Sequence, residues 1–246
     1  MRASASRTGR IVTCVGALLL PAMAVAQDRP LQLDVGGEGE SGYVKLILLF
    51  ASVSLAPALV AVVTSFARIV VVLFFLRAGL GAQEIPPNQV IIGLAILLAV
   101  VAMLPTLGPI YDRAIGPLLR DDIPLAAAAQ EAAGPLREFM AAQVRGEDLE
   151  LMLGLARLPS PRPAADVPMS VLASAFAISE LRAAFLIGFI VYLPFVIIDL
   201  VVGSTLASVG LLSLPAPLLS LPFKVLLFVL VDGWSLLTEA LVSTFR

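Results

Sequence analysis

Long apolar segments, each broken by single polar or proline residues, constrain this chain more than any other feature. Four of them stand out, at residues 46–66, 88–107, 183–202 and 221–237. Of the 246 residues, 59% are hydrophobic and 14% are charged, whereas a soluble domain is about half apolar and about a quarter charged. Lipid or partner subunits must cover the excess apolar surface. We therefore predict an all-α, integral membrane-type protein with four main hydrophobic helices in two hairpins.

The N-terminal residues have the three parts of a secretory signal. Three arginines precede an apolar run at residues 11–23, and Ala24 and Ala26 form the small-x-small pattern that signal peptidase reads. The apolar run is shorter than the ~20 residues that a membrane span needs. We therefore predict a cleavable signal at residues 1–26, with an uncleaved first membrane helix as the alternative. The polar, glycine-rich residues 27–42 are predicted to form a lead-in outside the cytoplasm.

The central region, residues 109–182, differs in kind from the apolar segments. It carries half of the charged residues of the chain, and its leucines recur at spacings of three or four residues, which predicts helices. One amphipathic helix is predicted to begin at Pro135. We assign this region as a helical block between a first hydrophobic hairpin at 43–108 and a second at 183–246. Cleavage of the signal would place the block outside the cytoplasm.

The sequence lacks the residues that most catalytic mechanisms require. There is no histidine, and the single cysteine, Cys14, lies within the predicted signal, which leaves no thiol in the processed chain. The sequence also lacks a phosphate-binding loop, a dinucleotide-binding glycine motif, a zinc-protease motif and any dense basic stretch for nucleic acid. We predict no enzymatic activity and no cofactor. The carboxylates of Glu138, Glu147, Asp148 and Glu150 are interpreted as solvated helix faces.

Three charged residues interrupt the apolar segments near the C-terminus: Asp199, Lys224 and Asp232. A charge inside such a helix costs ~2.5–3.5 kcal/mol on insertion scales and marks a functional position by default. The alternatives are an ion or proton path, an ion pair between subunits, or a helix-end charge that reaches the membrane interface. For Asp232 we favour a buried contact, and we expect Asp232→Ala to weaken assembly. Glycines that permit close helix approach are Gly93, Gly188 and Gly203.

Short blocks spread over residues 43–242 resemble, in order, the FliP family of type III export-gate proteins and its virulence-system relatives. The blocks lie at residues 64–69, 76–81, 86–90, 135–140, 167–169, 179–181, 197–201, 221–224 and 227–234. The resemblance implies buried polar or assembly roles for Arg68, Glu180, Asp199, Lys224 and Asp232. A cleavable signal favours the flagellar members, because the virulence-system relatives usually lack one.

The resemblance implies a structural pore component rather than an enzyme. Several copies of the chain, expected to be a pentamer, would assemble with FliQ and FliR around a channel for unfolded export substrates. FlhA and FlhB would handle energy coupling and substrate switching, and the complex would lie in the bacterial inner membrane at the flagellar basal body, in contact with lipid. The alternatives are the equivalent virulence-system subunit, a membrane-bound enzyme, or a small secondary transporter. A transporter predicts inverted repeats, which the sequence lacks.

A loop after the third main helix is the place where the family typically carries a run of methionines. Flexible thioether side chains there would seal the closed pore around variable substrates. Here the corresponding residues are Leu211, Leu212 and Ser213. The resemblance therefore puts the pore constriction at these three residues, with Ser213 making it smaller and wetter than a methionine loop.

Overall fold

The computed structural model describes residues 40–81, 86–159, 166–211 and 214–245, and every regular element in these ranges is helical. This confirms the all-α class. The helices are α1 (Glu40–Val62), α2 (Phe66–Leu80), α3 (Asn88–Ile110), α4 (Gly116–Leu119), α5 (Leu125–Gln143), α6 (Gly146–Leu155), α7 (Met169–Ser208), α8 (Ala216–Leu230) and α9 (Gly233–Ser243), with a π-helical turn at Tyr111–Ile115 between α3 and α4. The chain divides into two compact units, Met1–Ala56 and Pro57–Arg246. The polar networks described below lie in the second unit. The predicted signal cleavage site at Ala24 and Ala26 falls outside the described residues.

The longest helix, α7, runs for 40 residues without a break. It crosses the boundary predicted at 182/183, so the charged segment before that point and the apolar segment after it form one helix. Glu180 and Arg182 interrupt the apolar pattern locally, which suggested an end to the hydrophobic segment. Both side chains are instead satisfied by partners on other helices, and a sequence window cannot show such partners.

The prediction of one continuous helix at residues 221–237 is wrong. Helix α8 ends at Leu230, α9 begins at Gly233, and the two helices are bent by 63°. Between them Asp232 has φ 49° and ψ 53°, in the left-handed region. Aspartate is among the few non-glycine residues enriched in this region. Apolar residues lie on both sides of Asp232, and Asp199 and Lys224 interrupt other helices without ending them, so the hydropathy pattern does not mark the bend.

Helix α5 starts earlier than predicted, at Leu125, and Pro135 lies within it. The residues before Pro135 are mostly alanine, the strongest helix former, and they extend the helix despite the backbone hydrogen bond that proline cannot donate. Helix α6 spans four of the five residues of the predicted apolar face, but Leu151 and Leu155 are exposed, and the buried leucine of the helix, Leu153, was not part of that face.

Two reciprocal glycine contacts hold α2 close to α7. A methyl group on Gly79 of α2 would lie 2.5 Å from Cδ2 of Phe195, and one on Gly188 of α7 would lie 2.4 Å from Cδ2 of Phe75. Each glycine therefore receives an aromatic ring from the opposite helix. Gly188 permits close approach, as predicted. The same prediction is wrong within the described chain for Gly203 and Gly93. A methyl group on Gly203 would lie 3.6 Å from its nearest neighbour, and a methyl group on Gly93 would have no neighbour within 4 Å.

Within the described residues, two helical segments are long and apolar enough to cross a membrane, Asn88–Leu119 and α7. The bent pair α8–α9 brings the number to three if it forms one span. These segments support a membrane protein, but they do not confirm four helices in two hairpins. Much of the apolar surface of α7 is exposed in the single chain, notably Phe185, Leu186, Phe189, Ile190, Ile197 and Leu200.

Candidate functional site: buried charges on the longest helix

Arg68 of α2 and Glu180 of α7 form a buried ion pair, with 5% and 0% of the two residues exposed. Nε of Arg68 donates a hydrogen bond to Oε2 of Glu180 at 2.9 Å, and Nη2 donates to Oε1. The paired N–H groups of a guanidinium match the two oxygens of a carboxylate, which makes this one of the stronger charge-assisted geometries. Both residues are buried in the single chain, and the pair lies within one chain.

Aromatic and amide groups complete the surroundings of Arg68. Its Nη2 also donates to Oε1 of Gln143 at 3.4 Å, and its Cζ lies 4.0 Å from the ring centroid of Phe245. Phe245 stacks on Phe139 with centroids 6.2 Å apart, and Phe139 packs against Phe176 at 5.6 Å. A cation over an aromatic face is stabilised further when it is desolvated. The C-terminal residues of the described chain thus cover one side of the ion pair.

Asp148, in the first turn of α6, belongs to a second buried network. It is 1% exposed, so its interpretation as a solvated carboxylate is wrong. The Ser179 hydroxyl donates to Oδ2 of Asp148 at 2.8 Å, and the backbone N–H of Arg145 donates to Oγ of Ser179 at 3.1 Å. Oδ1 lies 2.9 Å from Nη2 of Arg182 without hydrogen-bond geometry, so we treat this contact as ionic. The same interpretation holds for three neighbours that are exposed: Glu138, Glu147 and Glu150.

Sequence patterns gave no signal for the burial of Asp148. An acidic residue in the first turn of a helix is favoured by the helix dipole wherever it faces, so its presence there is compatible with an exposed side chain. Only the position of Ser179 and Arg182 on α7 shows that the carboxylate points inward.

Lys224 of α8 pairs with Asp199 of α7 in a third network. Nζ donates to Oδ2 at 2.7 Å, with Lys224 1% exposed and the Asp199 side chain 33% exposed. Ser220, buried one turn before Lys224, donates its hydroxyl to Oδ1 of Asp199. Among the alternatives for Lys224, the geometry favours an ion pair over a charge at the membrane interface, and the observed pair is within one chain.

Ser220 was missed by the sequence analysis. The available signal is its spacing of four residues from Lys224, which places both side chains on one face of a helix. Nζ of Lys224 also lies 3.2 Å from the place that a methyl on Gly81 would occupy. The lysine therefore reaches the C-terminal end of α2, where the helix dipole favours a cation.

All three networks meet on α7. Glu180 connects it to α2, Ser179 and Arg182 connect it to α6, and Asp199 connects it to α8. Removing one partner of a buried ion pair costs about 3–5 kcal/mol, because the other charge is left unpaired. The networks therefore select which faces of the shorter helices can pack on α7, and at what register.

The remaining predicted site residues are not joined to these networks. Asp232 is exposed in the single chain, so a buried contact within the chain is not observed, and its contact with another subunit stays a prediction. Leu211 lies three residues beyond the last residue of α7 and is 47% exposed, whereas Leu212 and Ser213 fall outside the described residues. In the part of the chain that the structure describes, no cluster of three potential metal ligands occurs.

The fold and the three networks define a helical membrane protein whose longest helix is held to its neighbours by buried charges. The sequence pattern of the FliP family matches residues 49–241, and the chain belongs to this family. The flagellar biosynthetic protein FliP of Caulobacter vibrioides is 44% identical over 237 residues, which are 96% of this chain and 89% of that relative. The protein of the same name from Bacillus subtilis is 46% identical over 208 residues, 85% of this chain and 94% of the relative.

A third relative, the flagellar biosynthetic protein FliP of Pectobacterium carotovorum, is 43% identical over 242 residues, 97% of this chain and 94% of the relative. The resemblance drawn from the short sequence blocks is thereby confirmed. The paired charges of all three networks lie inside the matched range, whereas Phe245 lies beyond it.

Proposed function

We propose that this chain is a core subunit of the flagellar type III protein-export gate, in which its own copies and partner subunits form the channel for unfolded flagellar proteins. The family match over residues 49–241 carries this proposal, and the relatives named above are flagellar biosynthetic proteins. The partners are FliQ and FliR in the channel and FlhA and FlhB beside it. The complex lies in the inner membrane at the flagellar basal body.

The exposed apolar side chains of α7 require a cover. Within the helix they run from Leu181 to Val201, a rise of roughly 30 Å, which matches the ~30 Å hydrocarbon core of a bilayer. Lipid or neighbouring subunits can cover this surface, so it supports a membrane location for the proposed gate subunit.

The positions of the ion pairs support different roles for the body of α7 and for the loop after it. Ion pairs in which at least one partner is buried fix α7 to α2, α6 and α8, so the helix body resists displacement. Leu211, Leu212 and Ser213 follow the C-terminal end of α7, beyond the last of these ion pairs. Copies of this short apolar loop would close the pore to ions, and an unfolded polypeptide would push them apart without breaking the tethers.

Gene deletion and complementation test the proposed function. We expect the deletion strain to stop releasing hook and filament protein into the medium while it still synthesises both inside the cell, and the intact gene to restore release. Immunoblots of the medium and of cell extracts separate a loss of export from a loss of expression. The same assay on variants at Leu211 and Ser213 tests the constriction.

Unchanged release of hook and filament protein would contradict the flagellar assignment. Loss of secretion of virulence-type substrates in the same strain would then indicate the equivalent subunit of a virulence secretion system.

A further inference from the structure

A small apolar cavity with a cation at its rim lies between α2, α3 and the start of α9. Its volume is about 80 Å3, and its walls include Leu76 of α2 and Val90 and Leu94 of α3. Arg77 and Trp234 also line it. Nearly all of the lining surface is apolar. The exposed fractions of Val90 and Trp234 are 56% and 45%, which shows that the cavity opens at the surface of the chain.

The cavity lies at the level where a candidate membrane span begins. Asn88 is the first residue of α3 and of the apolar segment Asn88–Leu119, and Arg77 is in the last turn of α2. The Arg77 guanidinium donates a hydrogen bond to the side-chain oxygen of Asn88, so both residues are at the same height. Tryptophan is enriched at the membrane–water interface, and Trp234 lies beside the same opening.

The charge of Arg77 is not neutralised by any carboxylate in the described ranges. Asn88 supplies a neutral amide oxygen to one N–H group, whereas a guanidinium has five N–H donors in a planar fork that suits phosphate. The N-terminal end of α3, at Asn88, adds a partial positive charge from the helix dipole. The rim therefore attracts an anion, while the cavity below it accepts only apolar groups.

We propose that this cavity is a binding site for one anionic phospholipid. The phosphate lies on Arg77 and the adjoining end of α3, and the first part of an acyl chain enters between Leu76 and Leu94, with Trp234 at the opening. A bilayer presents an anionic headgroup directly above an apolar chain, which is the same order as the cation and the apolar walls of this site. The inference does not depend on the chain acting in an export gate.

Trp234 makes the site directly observable, because it is the only tryptophan of the chain. The full chain is expressed alone and reconstituted in phosphatidylcholine bilayers that contain a small fraction of lipid brominated on its acyl chains. Bromine quenches tryptophan fluorescence on contact. We expect brominated phosphatidylglycerol to quench Trp234 about fivefold more effectively per molecule than brominated phosphatidylcholine, the factor that one basic side chain near an anionic surface provides.

Two matched pairs of variants separate the headgroup contact from the acyl-chain contact. Arg77→Gln is expected to remove the preference for the anionic lipid, whereas Arg113→Gln, at an exposed arginine beyond the other end of α3, should retain it. Leu94→Phe narrows the cavity and should reduce quenching by both lipids. Leu97→Phe, at a residue that is 62% exposed on the same helix, should leave quenching unchanged.

Equal quenching by the two brominated lipids in the wild-type chain would overturn the proposal, as would an anionic preference that survives Arg77→Gln. Relief of quenching by excess inorganic phosphate would also overturn it, because the site would then bind free anions rather than lipid. Circular dichroism verifies the fold of each variant. If Arg77→Gln does not fold, the wild-type comparison and the Leu94 and Leu97 pair still decide the outcome.

Discussion

Glu180 is fully buried and receives two N–H groups from Arg68, while the other contacts of that guanidinium are to the neutral side chains of Gln143 and Phe245. No second carboxylate among the described residues lies within ion-pair distance of Arg68. The stability of the buried arginine therefore depends on one side chain.

Glu180→Gln keeps the size of the side chain and removes its charge. We expect a loss of about 3–5 kcal/mol in the free energy of unfolding, because Arg68 stays buried without a counter-charge. The measurement is unfolding of the purified chain in detergent, followed by circular dichroism. Glu147→Gln is the matched control. Its side chain is 76% exposed beside Arg182, and exposed pairs contribute no more than ~1 kcal/mol.

A double variant, Arg68→Met with Glu180→Leu, identifies the cause of that loss. Apolar replacement of both partners of a buried ion pair is often neutral, so this variant should be clearly more stable than Glu180→Gln. If Glu180→Gln is no less stable than Glu147→Gln, the pair does not stabilise the fold.

Sequence reasoning at this scale identified buried charges but not their partners. Arg68 and Glu180 were singled out through the family resemblance, but their contact joins positions 112 residues apart. Asp148 was interpreted as part of a solvated helix face together with Glu147 and Glu150, and of these three only the two glutamates are exposed. The difference between them arises from the face that α6 turns toward α7, which depends on tertiary packing rather than on local polarity.

At the scale of helices, α2 and α7 pack through exchanged aromatic rings. Phe75 of α2 fills the space above Gly188, and Phe195 of α7 fills the space above Gly79. Phe75 also meets Phe185 and Tyr192 edge to face, with ring centroids 5.6 and 6.4 Å apart. These contacts extend along both helices, so a shift of either helix along its axis would disrupt them together.

Gly188→Ala is expected to destabilise the chain by about 1–3 kcal/mol, as overpacked cores do. The added methyl would lie 2.7 Å from Cγ and 3.1 Å from Cβ of Phe75. The position of Cβ is set by the backbone, so a change of the Phe75 rotamer alone cannot relieve that contact. Thermal unfolding in detergent measures the change.

Gly203→Ala is the control on the same helix, and the opposite sign is expected. Its methyl group meets its nearest neighbour at 3.6 Å, an ordinary contact, and alanine is favoured over glycine in a helix by up to ~1 kcal/mol. Equal effects of the two substitutions would mean that the Phe75 contact does not set the distance between α2 and α7.

The helices were predicted more reliably than the points where they end or bend. Apolar segments marked α3, α7 and α8 because burial and lipid contact both require apolar side chains. The bend at Asp232 could not be predicted, since it depends on one residue in a left-handed conformation inside a continuous apolar pattern. The continuity of α7 through residue 182 was also missed. In the sequence, the charged residues Glu180 and Arg182 are typical of an exposed segment, because their partners on other helices are not visible there.

At the scale of the whole molecule, both apolar and charged side chains are exposed on the surface of the single chain. The charge of Asp232 is exposed at the bend between α8 and α9, next to Val231 and Trp234, which are 47% and 45% exposed. A carboxylate among exposed apolar side chains suits a contact that forms only when subunits assemble.

Asp232→Asn is the substitution that tests this contact. Asparagine tolerates the left-handed conformation as aspartate does, so the bend is retained while the charge is removed. We expect the multi-subunit complex recovered from membranes to decrease on native gels, with unchanged thermal stability of the isolated chain. Asp232→Ala would add a backbone cost of roughly 1–2 kcal/mol at the same position. Its effect on assembly could then not be separated from its effect on the stability of the chain. Recovery of complex at the wild-type level from Asp232→Asn would contradict the assembly role.

The aromatic cover over the Arg68–Glu180 pair has a consequence for the order of events during synthesis. Phe245 lies 65 residues after Glu180 in the sequence, so the ribosome adds it long after both members of the ion pair. Arg68 and Glu180 emerge earlier and can meet while the nascent chain is still growing. Phe245 can close over them only after its own synthesis, so the nascent chain can pass through a stage in which its central ion pair is formed but still open to water on one side.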